Sequence, residues 1–338
     1  MQDAVYVRRL FVRASGAVVV GISLLAGVGY GAEPSTSSYR HDVAQCTECH
    51  TETSVADLLV QTDCSSCHGE RAPGTLDTST STHAARPNDT AGLTLPQYYD
   101  KTRLGDAPNP MVTIPAGEFI RGTDERLPDE GPQHTLFVPA FQIDIYEVTN
   151  LQYKKFIDAT GRASPRHFEN RTYPEGKVDH PVVYVSWYDA EAYCAWAGKR
   201  LPSDIEWEKA ARGTDGRTYA WGNDFNVNFA NTPVRWEYLK TEGDTTPVGG
   251  FPQGKSVYGL YDTSGNVWEW TASWYEAYPG NTRITENYGE TYKTLKGGSW
   301  WDCSFYKCGI SAPTFNRSFF NKKVKNESFG FRCAKDAS

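Results

Sequence analysis

Two Cys-x-x-Cys-His motifs lie close together near the start of the chain. Each has the spacing of c-type heme attachment, in which two thiols add to the vinyl groups of a heme and the adjoining histidine supplies an axial nitrogen to the iron. We therefore predict two covalent hemes c. The attachment residues are Cys46, Cys49, Cys64 and Cys67, and the axial residues are His50 and His68.

A zinc site is the alternative interpretation of these cysteines, because paired Cys-x-x-Cys motifs also bind zinc. Two features favour heme. A histidine directly follows the second cysteine in both motifs, and a four-thiolate zinc site needs neither histidine. The chain also begins with an export signal, and c-type hemes are attached outside the cytoplasm.

Each heme iron needs a sixth ligand. The chain has two methionines, Met1 and Met111, and Met1 lies in the export signal, so two methionine-ligated hemes are excluded. His41 and His83 flank the motifs, and we predict that they are the distal ligands. An open, five-coordinate iron is the alternative. Bis-histidine ligation lowers the reduction potential, which favours a low-potential electron carrier.

The N-terminus is typical of a targeting segment. Arg8, Arg9 and Arg13 precede an apolar run over residues 14–28, and residues 29–32 form a cleavage region. The arginine pair also resembles a twin-arginine signal, but we favour Sec export because hemes are attached to an unfolded chain. An uncleaved anchor is the alternative to cleavage. The protein is therefore predicted to be periplasmic or extracellular.

The composition divides the chain into unlike parts. The net charge of −7 and the lack of a basic patch argue against a nucleic-acid partner. All ten tryptophans lie in the C-terminal two thirds, whereas hemes must serve as the core of the N-terminal part. The predicted parts are a signal or anchor at 1–32, a diheme segment at 33–70, a linker at 71–110, extended or wrapped against a heme, and a C-terminal domain at 111–335.

Three helices are predicted from capping boxes, in which the N-cap hydroxyl accepts from the N3 amide and the N3 side chain returns the bond. The second box is weaker because its N3 residue is aspartate. The boxes and the glycines that stop the helices are Thr149–Gln152 with Gly161, Ser186–Asp189 with Gly198, and Ser203–Glu206 with Gly213. Short strands are predicted within 111–120 and near 136–138, 141–144, 295–299 and 330–333, with little other regular structure after Gly213.

Eight short motifs follow one another through the C-terminal domain. They read Ile-Pro-Ala-Gly-Glu-Phe at 114–119, Glu-Val-Thr-Asn at 147–150, His-Pro-Val-Val-Tyr-Val-Ser-Trp at 180–187, Tyr-Cys-Ala-Trp-Ala-Gly-Lys-Arg-Leu-Pro-Ser at 193–203, Gly-Leu-Tyr-Asp at 259–262, Gly-Asn-Val-Trp-Glu-Trp at 265–270, Lys-Gly-Gly-Ser-Trp at 296–300 and Gly-Phe-Arg-Cys at 330–333. In this order they resemble the formylglycine-generating-enzyme (sulfatase-modifying factor) family. The resemblance implies an irregular α+β domain related to C-type lectins. The N-terminal segment resembles small multiheme c-type cytochromes, which implies a mostly irregular or helical structure packed on heme.

The family resemblance also implies calcium at the Gly-Asn-Val-Trp-Glu-Trp loop. Asp262 and Glu269 would give carboxylate oxygens, and Gly265 and Val267 would give backbone carbonyls, a hard oxygen set that suits Ca²⁺. A plain turn with acids facing water is the alternative. A second implied calcium site, harder to align, involves Asn231, Thr232 and Asp244.

Catalysis in the family depends on two cysteines, five positions apart, that bind Cu(I). Cys303 and Cys308 keep that spacing but lie one residue further from Ser299 than the family pattern has them. The resemblance further implies a Cys194–Cys333 disulfide, which leaves Cys303 and Cys308 as a pair. We favour a disulfide or structural role for that pair, with copper as the alternative; the catalytic residues stay unknown.

These observations lead to three hypotheses for function. The favoured one is an exported diheme electron carrier that works between other cytochromes or a membrane quinol-oxidising or reductase complex, with the C-terminal domain as a docking module. The second is a copper-dependent oxidase that makes formylglycine and draws electrons from the hemes. The third is a lectin-like binding module that displays hemes.

Overall fold

The computed structural model describes residues 93–94, 101–283, 285–301 and 311–337. The predicted signal and the predicted heme residues, including His41 and His83, lie outside these ranges, as do Cys303 and Cys308. Within the described ranges, no helix is long and apolar enough to cross a membrane.

The described part of the chain folds into nine short strands, four α-helices and two 3-10 turns at Pro128–Glu130 and Pro252–Gly254. The strands are β1 (Met111–Ile114), β2 (Gly117–Arg121), β3 (His134–Val138), β4 (Phe141–Asp144), β5 (Trp268–Tyr275), β6 (Gly289–Lys296), β7 (Arg317–Phe320), β8 (Phe329–Gly330) and β9 (Ala334–Asp336). The helices are α1 (Asn150–Thr160), α2 (Trp187–Trp196), α3 (Asp204–Arg212) and α4 (Pro233–Leu239).

The strands form three small sheets, ordered β1-β4-β9, β2-β3 and β7-β6-β5-β8. All strand pairs are antiparallel except β5 with β8, which are parallel. This arrangement confirms the predicted mixture of helix and sheet with short elements. The prediction of little structure after Gly213 missed α4, β5 and β7.

Capping boxes start the first three helices where the sequence predicts them. Thr149 accepts from the Gln152 amide at 3.3 Å, and the Gln152 side chain accepts from the Thr149 amide at 3.0 Å. In the second box the Asp189 carboxylate accepts from the Ser186 amide at 3.0 Å. Aspartate therefore completes this capping box, which was predicted to be weaker than the other two. Helix α1 then ends before Gly161, whose φ of 70° suits a residue without a Cβ.

The larger hydrophobic core is aromatic and contains a disulfide. Tyr193 of α2 contacts Tyr153 and Phe156 of α1 and also Phe331, with ring centroids 5.4–5.8 Å apart. Cys194 and Cys333 are fully buried beside them, and the structure bonds the two sulfurs. The disulfide therefore joins α2 to the residue that precedes β9.

Residues 101–110 lie against the domain, although the sequence assigned them to the linker. Asp179 accepts from the Thr102 hydroxyl at 2.5 Å and from the Arg103 amide at 2.6 Å. The Asn109 side chain donates to the carbonyls of Tyr146 and Glu147 at 2.9 and 3.0 Å. The ordered domain surface therefore includes the ten residues before β1.

We expect the disulfide to contribute strongly to stability. The two cysteines are 139 residues apart, and closing so long a loop in the unfolded chain stabilises the fold by about 5 kcal/mol in the chain-entropy treatment. Replacing Cys194 and Cys333 together by alanine should therefore lower the free energy of unfolding by several kcal/mol, measured by denaturant titration. Reduced wild-type protein is the control and should match the variant; a wild type equally stable with and without reductant would contradict the expectation.

A second expectation concerns acid. His180 is fully buried, its Nδ1 lies 2.8 Å from the Thr245 hydroxyl, and burial followed by the charge of Lys177 lowers its pKa to about 3. An unfolded histidine titrates near pH 6.5. Its stabilising effect is therefore complete above pH 6.5 and is lost as the pH falls toward 3.

The substitution His180→Asn removes this titration and keeps an amide near the Thr245 hydroxyl. The stability advantage of the wild type over His180→Asn should shrink by about 2 kcal/mol between pH 7 and pH 5. Urea unfolding at the two pH values measures it. An advantage that is the same at both pH values would disprove the assignment.

Candidate metal centre

The turn that precedes β5 is fixed by close backbone packing. A Cβ on Gly265, whose φ is 135°, would lie 2.3 Å from the carbonyl oxygen of Asn231. The amide of Asn266 donates to that same carbonyl at 2.8 Å. Only glycine fits at this position, and the turn is therefore held against the loop that contains Asn231.

Three buried carboxylates surround one guanidinium beneath this turn. Arg332 donates to both Glu269 oxygens at 2.7 Å, and the Trp207 indole donates to one of them at 2.8 Å. Glu147 and Asp262 are also buried and interact electrostatically with Arg332. The cluster carries three acidic groups and one buried cation, and the half-exposed Arg103 adds a second positive charge near Asp262.

The excess of acidic groups changes the proton affinity of the cluster. Burial, reinforced by the charges of Asp262 and Glu269, raises the pKa of Glu147 well above its usual range. Burial also raises the pKa of Asp262 to about 6, even though Asp262 accepts from the Gly249 amide at 2.6 Å. A further cation beside these carboxylates would balance the charge.

Calcium fits this place in both charge and donor type. Asp262 has a carboxylate oxygen beyond the one that faces Gly249, and the family-implied carbonyls of Gly265 and Val267 are hard oxygen donors. Glu269 has little capacity left to bind a metal, because Arg332 and Trp207 occupy three of its roughly four lone-pair positions. In the described residues no three Asp, Glu, His or Cys side chains are grouped to hold a metal, so backbone carbonyls would have to complete the shell.

The second implied calcium site does not fit a metal. The Lys177 ammonium lies 2.6 and 2.7 Å from the two Asp244 oxygens. The Asn231 side chain accepts from the Trp236 indole and donates to the Asp244 carbonyl, each at 2.8 Å. The Lys177 ammonium therefore pairs with Asp244 at the place where the family resemblance implies calcium.

The segment that contains Cys303 and Cys308 begins and ends at fixed positions. A Cβ on Gly298 would lie 2.6 Å from the Ser311 carbonyl oxygen, so the chain before the segment packs on the chain after it. Asn316 donates to that carbonyl at 2.9 Å and accepts from Arg126 at 2.7 Å. In sequence, Cys303 and Cys308 therefore lie between Gly298 and Ser311, which pack against each other.

An acidic side chain that the sequence did not single out lies next to these anchors. Glu130 is fully buried, its carboxylate pairs with Arg126, and burial raises its pKa. Arg126 also approaches the ring of Phe315. Arg126 and Asn316 are 190 positions apart, so no local pattern indicated that the Arg126–Glu130 pair would lie beside this segment.

The predicted site residues fall into four groups. Asp262, Glu269 and the Gly265 turn lie together. Asp244 pairs with Lys177, and Asn231 donates to the Asp244 carbonyl. Cys194 and Cys333 are bonded to each other. The heme residues and Cys303 with Cys308 lie outside the described ranges.

The fold and the buried acidic turn define a class of α+β domain with little regular structure. Residues 100–337 match the family described as "Sulfatase-modifying factor enzyme 1-like domain". The chain therefore belongs to the formylglycine-generating-enzyme (sulfatase-modifying factor) family.

Named relatives and a solved structure agree with this assignment. The chain is 35% identical to mouse "Inactive C-alpha-formylglycine-generating enzyme 2" over 70% of its own length and 89% of the relative's. It is 30% identical to the "Formylglycine-generating enzyme" of cattle over 80% of its own length and 85% of the relative's. The structure of PvdO from Pseudomonas aeruginosa superimposes with a TM-score of 0.54 and 27% identity, covering 72% of this chain and all of that one.

Two isosteric substitutions test the two implied calcium sites separately. Asp262→Asn should weaken calcium binding at least roughly tenfold, because it removes a charged ligand from a buried site. Asp244→Asn should leave calcium binding unchanged, because Lys177 occupies that carboxylate.

Isothermal titration with calcium, after treatment with a chelator, measures both variants. We expect one calcium per wild-type chain. The assignment is wrong if Asp244→Asn abolishes binding and Asp262→Asn does not.

Proposed function

We propose that the protein is an exported diheme c-type cytochrome whose formylglycine-generating-enzyme-like domain serves as a docking module in a redox complex. The observation that carries this proposal is the pair of Cys-x-x-Cys-His motifs on the same chain as the domain. With His41 and His83 as distal ligands, both hemes are low-potential carriers. Their partners are other cytochromes or a membrane quinol-oxidising or reductase complex, in the periplasm or outside the cell.

The family itself does not fix catalysis, which favours a docking role for the domain. Relatives of similar identity include one named as the generating enzyme and one named as inactive. In this chain Cys303 and Cys308 are also displaced by one residue relative to Ser299. Function belongs to sites rather than to folds, and the motif that matches its pattern fully here is the heme motif.

A specific observation supports an oxidase as the second candidate. The Cys194–Cys333 bond leaves Cys303 and Cys308 as the remaining pair outside the heme motifs. Converting a cysteine thiol and O₂ to an aldehyde, H₂S and water consumes two protons and two electrons besides the two that the thiol supplies. Two hemes on the same chain are a source for those two electrons, and two thiolates suit Cu(I).

Metal content separates these candidates. The full chain should be expressed with a heme-maturation system and analysed by intact mass, absorption and metal analysis. We expect two covalent hemes in the wild type and one when Cys46 and Cys49 are both replaced by serine. Cys303→Ser is the matched control and should keep both hemes. A chain without covalent heme would refute the electron-carrier proposal.

Alkylation of thiols then decides the role of the second pair. For the electron carrier we expect no copper, and Cys303 and Cys308 should be alkylated only after reduction. One copper per chain, with both thiols protected until the copper is removed, would instead establish the oxidase. Under the binding-module hypothesis, a partner cytochrome should not reduce the hemes when the two proteins are mixed in a stopped-flow experiment.

A further inference from the structure

Arg235 in α4 is a buried guanidinium without an acidic partner among the described residues. Five arginines in the described part are more than nine-tenths buried. Four of them have a carboxylate oxygen within 4 Å: Arg121 and Arg317 share Asp204, Arg212 pairs with Glu208, and Arg332 pairs with Glu269. The exception is Arg235, which is 6% exposed.

The contacts of Arg235 leave part of its hydrogen-bonding capacity unused. One terminal nitrogen donates to the carbonyl of Thr94, and the guanidinium lies 5.1 Å from the ring centroid of Phe251. Its Nε–H has no acceptor in the described part of the chain. A guanidinium has five donors in a planar fork, and burying it without an anion is costly.

A cavity opens beside this guanidinium. Its volume is about 380 Å³, which is within the range of small-molecule sites. Two phenylalanines and two side-chain amides line it together with Arg235 and Thr94. The residues concerned are Phe229, Phe251, Asn228 and Gln253. A single positive charge among amides and two aromatic rings suits a carboxylate monoanion better than a phosphate dianion.

We propose that the cavity at Arg235 binds a carboxylate, with the guanidinium as its charged anchor and Phe229 and Phe251 among the residues that face the group carrying it. Such a carboxylate has two sources. One is a free organic acid. The other, which rests on the proposed function, is a propionate of a heme carried by this chain. Thr94, which contacts Arg235, follows both heme motifs in the sequence.

Benzoate is the probe for this site, and benzamide is its neutral counterpart of the same shape. Isothermal titration should be done with the heme-loaded full chain and with a heme-free full chain in which all four motif cysteines are serine. We expect Arg235→Gln to weaken benzoate binding at least roughly tenfold and Arg235→Lys to restore part of it. Lys255→Gln, an exposed charge change two residues after Gln253, should have no effect.

The outcomes distinguish the two sources. Benzoate binding to both proteins supports a free organic acid, and binding to the heme-free protein alone supports a heme propionate. Covalent heme is read separately by absorption, so a failure of heme attachment does not mimic a failure of the site. If neither protein binds benzoate, or if benzamide binds as well as benzoate, the proposal is overturned. Circular dichroism shows whether Arg235→Gln folds; if it does not, the benzoate–benzamide comparison on the wild type decides.

Discussion

The fully buried pair of Arg332 and Glu269 is the interaction on which the rest of the domain depends. The guanidinium uses its other donors on the carbonyls of Asp144, Ile145 and Tyr261, so one side chain joins the end of β4, the Tyr261 loop and the start of β5. The next residue, Cys333, adds the disulfide to α2 and donates its amide to Asp144 at 3.0 Å. In a domain with short strands, this substitutes for an extended sheet. Removing the Arg332 charge would leave the Glu269 carboxylate buried without its ion-pair partner, which costs roughly 3–5 kcal/mol.

Burying so many charges makes their balance decisive. Arg121, Arg212, Arg317 and Arg332 all face carboxylates, so ion pairs are the usual way this fold buries a guanidinium. Two places depart from that balance in opposite directions. Beneath the Gly265 turn, acids outnumber cations, and a divalent cation would restore neutrality. At Arg235 a buried cation has no acidic partner in the described part of the chain, and a bound carboxylate would restore neutrality.

Local signals predicted the parts of this fold that are locally determined. The three capping boxes start α1, α2 and α3 because their bonds join residues only three positions apart. Helix α4 has no side-chain cap at Thr232, so it lacks the capping box that marks the other three helices. Its start signal is Pro233 at the first helical position. The sequence of strand β5 alternates apolar and polar residues from Trp268 to Trp274, which is a strand signal. The structure nevertheless buries both faces at the start of the strand, including Glu269 and Thr271. Lys177 and Asp244 are 67 positions apart, so only the folded chain shows that a lysine pairs with Asp244 at the second implied calcium site.

The division between predicted and unpredicted features bears on function. Covalent heme attachment depends on a short motif, so the heme hypothesis can be made from residues that are adjacent in sequence. Binding at Arg235 or beneath the Gly265 turn needs residues brought together by folding, and their charge imbalance appears only in three dimensions. In this chain Arg332 pairs with Glu269 beside one implied calcium site, whereas Lys177 pairs with Asp244 at the other. Ligand chemistry in this chain therefore has to be argued site by site, because a shared fold does not fix function.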